Sequence, residues 1–151
     1  MIYSFSHHVG HKIPTIENLG VAGPQDAIDF TDNDITSITN FPLSPRLSTL
    51  LLARNRITNI QPNLFQSIPN LTTLVLSSNN VAELADLDPL RRFARLTHLS
   101  LIENPVARKE VPASLVAVHL TVADTIHRTT DSSSSGAFPP YASSISRRSR
   151  P

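Results

Sequence analysis

The chain has 151 residues, a formal net charge of +1, 40% hydrophobic residues and no cysteine. This length suits one domain with tails, and the hydrophobic content is sufficient for a core. The lack of cysteine excludes disulfide bonds, thiolate chemistry and cysteine-based zinc sites, and it argues against a disulfide-stapled extracellular protein.

Residues 1–11 carry no repeat pattern, and we assign no complete helix or strand to them. His7 and His8 interrupt the apolar run that a signal peptide requires, and no later segment is long enough to span a bilayer, so we expect a protein that is not secreted. A metal site made of His7, His8 and His11 is a weak alternative, because no carboxylate lies nearby to complete it.

A repeated pattern of leucine and asparagine dominates the middle of the chain. The spacing L-x-x-L-x-L-x-x-N-x-L begins at Leu47, Leu71 and Leu96, and a fourth copy over residues 25–35 lacks only the first leucine. Its asparagines are 22, 24 and 25 residues apart, within the period of about 20–29 residues that leucine-rich repeats have. We therefore predict an α/β fold, a leucine-rich-repeat solenoid with a parallel β-sheet on the concave face and short helices or turns on the convex face.

Within each repeat, two leucines lie two residues apart, so both point into the solenoid from an extended strand. Where the strand ends, buried backbone groups lose their sheet partners, and an inward asparagine side chain can satisfy them. We expect this structural role for Asn33, Asn55, Asn79 and Asn104. Ile13 and Ile16 resemble the back half of an earlier repeat. Its strand would place the polar residues Ser6 and His8 at the inward positions, so we expect this first coil to be damaged or substituted.

The segments between strands return the chain along the convex side. Apolar residues in 62–68 have roughly helical spacing, and in the next return Asp88 and Pro89 suit the N-cap and the first position of a helix. Its inward residues are predicted to be Leu87, Leu90 and Ala94. Its outward residues Arg91, Arg92 and Arg95 fit a solvated surface better than a phosphate site.

The pattern stops after Glu110, which places the repeat domain at residues 11–110, behind the divergent segment 1–10. The last strand of a solenoid needs a cover, and residues 111–128 are predicted to act as a makeshift cap. Residues 129–151 are rich in serine, proline and arginine and are predicted to be disordered.

Strand side chains that alternate with the buried leucines face the concave side, which solenoids use for binding. Leu51, Val75 and Ile102 are predicted to form an apolar stripe there, with Asp29, Asp32 and Glu103 at its ends and Arg54 beside it. An amphipathic helix with basic flanks fits such a surface. Naked nucleic acid does not, because the surface is acidic and lacks aromatic residues for base stacking.

Catalytic motifs are absent from the sequence. Gly20 and Gly23 are not followed by the G-K-S/T of a phosphate-binding loop, and no serine lies in a G-x-S-x-G turn. We therefore expect a protein that is not an enzyme and has neither a cofactor nor a metal site.

Particular residues indicate a family. The runs 12–20, 26–33 and 83–90, together with Phe41-Pro42-Leu43 and Asn104-Pro105-Val106, closely resemble the spliceosomal U2 small nuclear ribonucleoprotein A-prime family. The resemblance spans about residues 11–110, and both ends diverge from the family pattern.

That resemblance implies a non-catalytic nuclear protein of pre-mRNA splicing. In the family, the concave sheet holds a helix of the RNA-recognition-motif domain of the B-double-prime protein and supports its binding to U2 small nuclear RNA. On this chain the role falls on Asp29, Asp32, Leu51, Val75, Ile102 and Glu103. Lys12, in the matching Gly-His-Lys-Ile-Pro segment, is a candidate RNA contact. The alternative from another class is a leucine-rich-repeat regulatory subunit of a protein phosphatase.

Overall fold

The computed structural model describes residues 4–21 and 23–109. The predicted cap at 111–128 and the predicted tail at 129–151 lie outside the described residues. Within the described part, no helix has the length and apolar character needed to cross a membrane.

Residues 4–21 and 23–109 contain seven short strands, and a return segment separates each strand from the next one in its own sheet. Five of them form a parallel sheet in the order β1-β2-β4-β6-β7, and β3 and β5 pair in a small second sheet. They are β1 (Phe5–His7), β2 (Ala27–Asp29), β3 (Ser37–Ile38), β4 (Thr49–Leu51), β5 (Asn59–Ile60), β6 (Thr73–Val75) and β7 (His98–Ser100). This architecture confirms the predicted leucine-rich-repeat solenoid.

The core follows from the register of the five-stranded sheet. The central residues of β2, β4, β6 and β7 lie side by side and are at most 3% exposed; they are Ile28, Leu50, Leu74 and Leu99. The second inward position of each repeat is equally buried, in Phe30, Leu52, Leu76 and Leu101. Because adjacent coils place leucine on leucine, each coil removes apolar surface of its neighbour from water, which is the main source of stability in such a stack.

The segment 1–10, to which we assigned no complete helix or strand, contains a strand. β1 pairs with β2 in parallel, although Ser6 and His8 occupy its inward positions. The two polar side chains satisfy each other, with Ser6 Oγ and His8 Nε2 2.7 Å apart, and the His8 ring stacks on Phe30 with centroids 5.2 Å apart. In the described residues the sheet therefore begins at Phe5, upstream of residue 11.

Asp26 fastens the start of β1 to the sheet. Its Oδ2 accepts hydrogen bonds from the Ser4 N–H and from Arg46 Nη2, both at 2.7 Å. The Ser4 N–H, and next to it the Arg46 guanidinium, lower the pKa of the Asp26 carboxyl below its ordinary value of 3.8. This contact holds the first strand in place where its inward side chains contribute little apolar burial.

In the described part of the chain, the convex side carries one short α-helix, α1 (Leu64–Ser67), and 3-10 helices at Leu19–Val21, Leu84–Arg92 and Pro105–Arg108. The prediction for the Leu84–Arg92 segment was wrong in two respects. The N-cap is Glu83 rather than Asp88, because the Glu83 N–H donates to Asp86 Oδ2 at 2.9 Å. Phe93 rather than Ala94 fills the core behind Leu90, with 1% of its surface exposed, while Ala94 is exposed.

Candidate protein-binding surface on the concave face

Each strand of the large sheet ends in the same sharp turn. The residue before each asparagine has a positive φ, which few residues other than glycine adopt readily. The φ angles are 62° at Asp32, 55° at Arg54, 56° at Ser78 and 59° at Glu103, and Gly10 has 71° at the matching place of the first coil. We name these five residues the rim row. The turn brings the four non-glycine side chains of the rim row to the edge of the concave face, where Asp32, Arg54 and Glu103 are exposed.

The asparagine that follows each rim residue is buried and links two coils. Asn55 Nδ2 donates to the Phe30 carbonyl of the preceding coil and the Leu52 carbonyl of its own coil, at 2.9 and 3.1 Å. Its Oδ1 accepts from the Ile35 N–H at 3.0 Å. Asn79 and Asn104 repeat this arrangement, and all four asparagines of the ladder are 3–7% exposed. The four side chains therefore fix the strand ends and leave no amide group for a partner.

The middle of the concave face is a row of residues in strict register. Asp29, Leu51, Val75 and Ser100 are cross-strand neighbours in β2, β4, β6 and β7, and His7 of β1 extends the row. The predicted stripe of Leu51, Val75 and Ile102 is therefore wrong in its last member. Ile102 lies two residues beyond Ser100, where its carbonyl accepts from the Ser78 N–H at 2.8 Å. Leu51 and Val75 are adjacent and half-buried, and Ile102 sits diagonally from them.

The charges around this apolar pair are unevenly placed. Asp29 neighbours Leu51 on the β2 side, and its Oδ1 already accepts from the Thr31 N–H at 2.9 Å. Among the four non-glycine residues of the rim row, Asp32 and Glu103 stand at opposite ends, with Arg54 between them. The Ser78 hydroxyl donates to the Glu103 carboxylate, which orients that side chain along the rim. The face thus offers an apolar centre flanked by carboxylates on two sides.

The sequence reasoning missed two aromatic residues on this face. Phe5 and His7 of β1 lie on the concave side, with their ring centroids 4.3 Å apart in an edge-to-face arrangement. Phe5 is 41% exposed. The expectation that the concave face lacks aromatic side chains was therefore wrong at its β1 end. The alternation of Phe5, His7 and Val9 with Ser6 and His8 was the available signal.

Lys12 lies apart from the concave row, in the loop after the first strand. It is exposed and has a φ of 54°. Its neighbours His8 and His11 line the same depression as Lys12 on the first coil. Among residues 4–21 and 23–109, no three histidine or acidic side chains come close enough together to hold a metal ion.

Comparison with known proteins gives the family of this chain and several proteins similar to it. The leucine-rich repeat family matches residues 6–124. The U2 small nuclear ribonucleoprotein A′ of Aspergillus fumigatus is 74% identical over 101 residues, which are 67% of this chain and 40% of that protein. The human U2 small nuclear ribonucleoprotein A′ is 52% identical over 102 residues, with the same shares. The chain thus matches less than half the length of these relatives.

A solved structure shows the same fold. A chain in the crystal structure of the Drosophila melanogaster SNF/U2A′ complex aligns with a TM-score of 0.67 and 45% identity, over 72% of this chain and 62% of that chain. The resemblance to U2 small nuclear ribonucleoprotein A-prime that the sequence indicated is therefore confirmed by sequence and by structure.

Proposed function

Because this chain belongs to the leucine-rich repeat family, we propose that its concave sheet is a non-catalytic protein-binding surface that acts in the U2 small nuclear ribonucleoprotein. Its partner is the RNA-recognition-motif domain of a B-double-prime-like protein, and its place of action is the nucleus. U2 small nuclear RNA joins the complex through that partner. The observation that carries the proposal is the 74% identity to U2 small nuclear ribonucleoprotein A′. The Drosophila melanogaster chain that shares this fold was crystallised in the SNF/U2A′ complex, which supports a protein partner for the chain described here.

The chemistry of the concave face suggests how the partner is held. Leu51 and Val75 offer adjacent half-buried apolar side chains, which suit the apolar stripe of an amphipathic helix laid across the strands. Ile102 extends the contact diagonally. A few desolvated residues at the centre of an interface carry most of the binding energy in a typical complex, and this pair occupies that central position.

Charges at the margins give the complex its orientation. The carboxylates of Asp29, Asp32 and Glu103 attract basic residues at the flanks of the partner helix, and Arg54 attracts an acidic residue between them. These contacts affect the rate of association and the choice of partner more than the final affinity. Lys12 stands on a separate loop and is proposed as a contact with an RNA phosphate.

Titration of the partner's RNA-recognition-motif domain with the wild type and two variants tests the proposal. Leu51→Arg and Val75→Arg place a charge in the apolar centre and are expected to weaken binding at least tenfold, about 1.4 kcal/mol each. Leu43→Arg is the matched control, because Leu43 is an apolar residue that is 73% exposed outside the concave sheet. Circular dichroism must show that all variants fold. Equal affinity of all four proteins would refute the assignment of this face.

A further inference from the structure

Among residues 4–21 and 23–109, the outer edge of β1 carries backbone groups that have no hydrogen-bond partner. The even-numbered residues face β2: the His8 N–H donates to the Asp29 carbonyl at 2.8 Å, and the Gly10 N–H donates to the Thr31 carbonyl at 3.1 Å. Backbone groups alternate along a strand, so the N–H and C=O groups of Phe5, His7 and Val9 point the other way. In the part of the chain that the structure describes, no strand pairs with that edge.

β1 is a short strand, which by itself limits pairing, but this edge lacks the charged residues and the proline that often protect a sheet edge from other chains. Natural edge strands carry lysine, proline, inward charges or a bulge. The segment from Phe5 to Val9 has no lysine, acidic residue or proline, and Phe5 and Val9 are each 41% exposed. An edge of this kind is suited to pairing with another strand.

We propose that β1 pairs antiparallel with β1 of a second copy of this chain, about a twofold axis at His7. The two five-stranded sheets then join into one. A closed, isologous dimer of this kind leaves no free copy of the same edge, so the association stops at two chains. The proposal stands independently of the partner assigned to the concave face.

The bonding pattern selects the register. Only odd-numbered residues present free backbone groups at this edge, so each must face an odd-numbered residue of the second copy to exchange hydrogen bonds. A register centred on His7 is the one in which Phe5, His7 and Val9 of both copies all find partners. Phe5 then faces Val9 of the second copy, and the two His7 residues face each other.

Side chains fit the same register on both faces of the joined sheet. On the concave side, two aromatic–aliphatic pairs of Phe5 with Val9 form, a combination that stabilises cross-strand neighbours. On the inward side, Ser6 meets His8 of the second copy. The hydrogen bond between Ser6 Oγ and His8 Nε2, 2.7 Å long within one chain, can be exchanged there for the same bond between the two chains.

The mass of the full 151-residue chain, measured by light scattering during size exclusion at micromolar concentrations, tests the proposal. The expected mass is twice the 16.5 kDa of one chain. His7→Pro is expected to yield the single-chain mass, because proline removes an outward N–H while the β1–β2 bonds remain. His7→Ala is the matched control and is expected to stay dimeric, since it keeps every backbone donor.

A charge swap tests the register and does not depend on proline being accepted in β1. Phe5→Lys with Val9→Lys sets lysines opposite each other and is expected to give monomers. Phe5→Glu with Val9→Lys sets opposite charges face to face and is expected to restore the dimer. A monomeric wild type at all concentrations would overturn the proposal. A dimer that withstands His7→Pro and the double lysine variant would also overturn it, because its interface would lie elsewhere.

Discussion

Replacement of Asn79 by alanine is expected to destabilise the solenoid at its centre. Asn79 is 4% exposed, and its Nδ2 donates to the Leu52 and Leu76 carbonyls at 2.8 and 3.0 Å. Its Oδ1 accepts from the Ile57 N–H at 2.9 Å. The substitution removes all of these contacts at once.

The loss in the free energy of unfolding depends on which backbone groups around Asn79 keep a hydrogen-bond partner after the substitution. The Leu52 carbonyl retains Asn55 at 3.1 Å, and the Leu76 carbonyl retains Asn104 at 2.7 Å. The Ile57 N–H has no second acceptor among the described contacts and becomes a buried, unpaired donor. Such a donor costs about 1–3 kcal/mol, and with the lost hydrogen bonds we expect a decrease of about 2–4 kcal/mol in the free energy of unfolding. That is a large part of the about 5–15 kcal/mol typical of a domain.

Urea unfolding followed by circular dichroism measures this change. The control is Asn80→Ala, an exposed neighbour, which is expected to change stability by no more than about 0.5 kcal/mol. Asn79→Asp keeps the acceptor for Ile57 but sets a carboxylate oxygen against two carbonyls, so it should be more stable in acid than at neutral pH. A loss below about 1 kcal/mol for Asn79→Ala would refute the role assigned to the asparagine ladder.

Three further predictions concern pH, packing and the turns. The pKa of Asp26 is lowered in the folded state, so its contribution to the free energy of unfolding is present above pH 3.8 and is lost as the pH falls further. The difference in urea midpoint between the wild type and Asp26→Asn should therefore vanish in strong acid. Phe93→Ala should cost about 3–5 kcal/mol in urea unfolding, whereas Ala94→Ser should cost little. Ser78→Val should lower the melting temperature through a strain of about 1–2 kcal/mol at its positive φ, whereas Ser78→Gly should be tolerated.

The fold was predictable because two periods in the sequence are independent and agree. A period of two residues within each strand sets which side chains point inward, and the spacing of the asparagines sets how strands align. The positions of the asparagines also identify the residues that form the row in the middle of the concave face. Leu51, Val75 and Ser100 each lie four residues before an asparagine, whereas Ile102 lies two residues before one.

The apolar pattern of the sequence did not reveal two features of the fold, the strand β1 and the 3-10 helix on the convex side. β1 has polar inward residues, and it pairs with the sheet through its backbone, through the Ser6–His8 contact and through the bond from Ser4 to Asp26. On the convex side, the inward residues Leu87, Leu90 and Phe93 recur every three residues, because the segment before Phe93 is a 3-10 helix rather than an α-helix. An assumed α-helical period pointed to Ala94 instead.

Chemical-shift mapping by nuclear magnetic resonance tests the central claim most directly, with the isotope-labelled chain and the unlabelled RNA-recognition-motif domain of the partner. We predict that the largest amide shifts fall on β4 and β6, around Leu51 and Val75, with smaller shifts at Asp29 and Glu103. Shifts confined to the convex segments Leu64–Ser67 and Leu84–Arg92, or no shifts at saturating partner, would contradict the claim that the concave sheet is the binding surface.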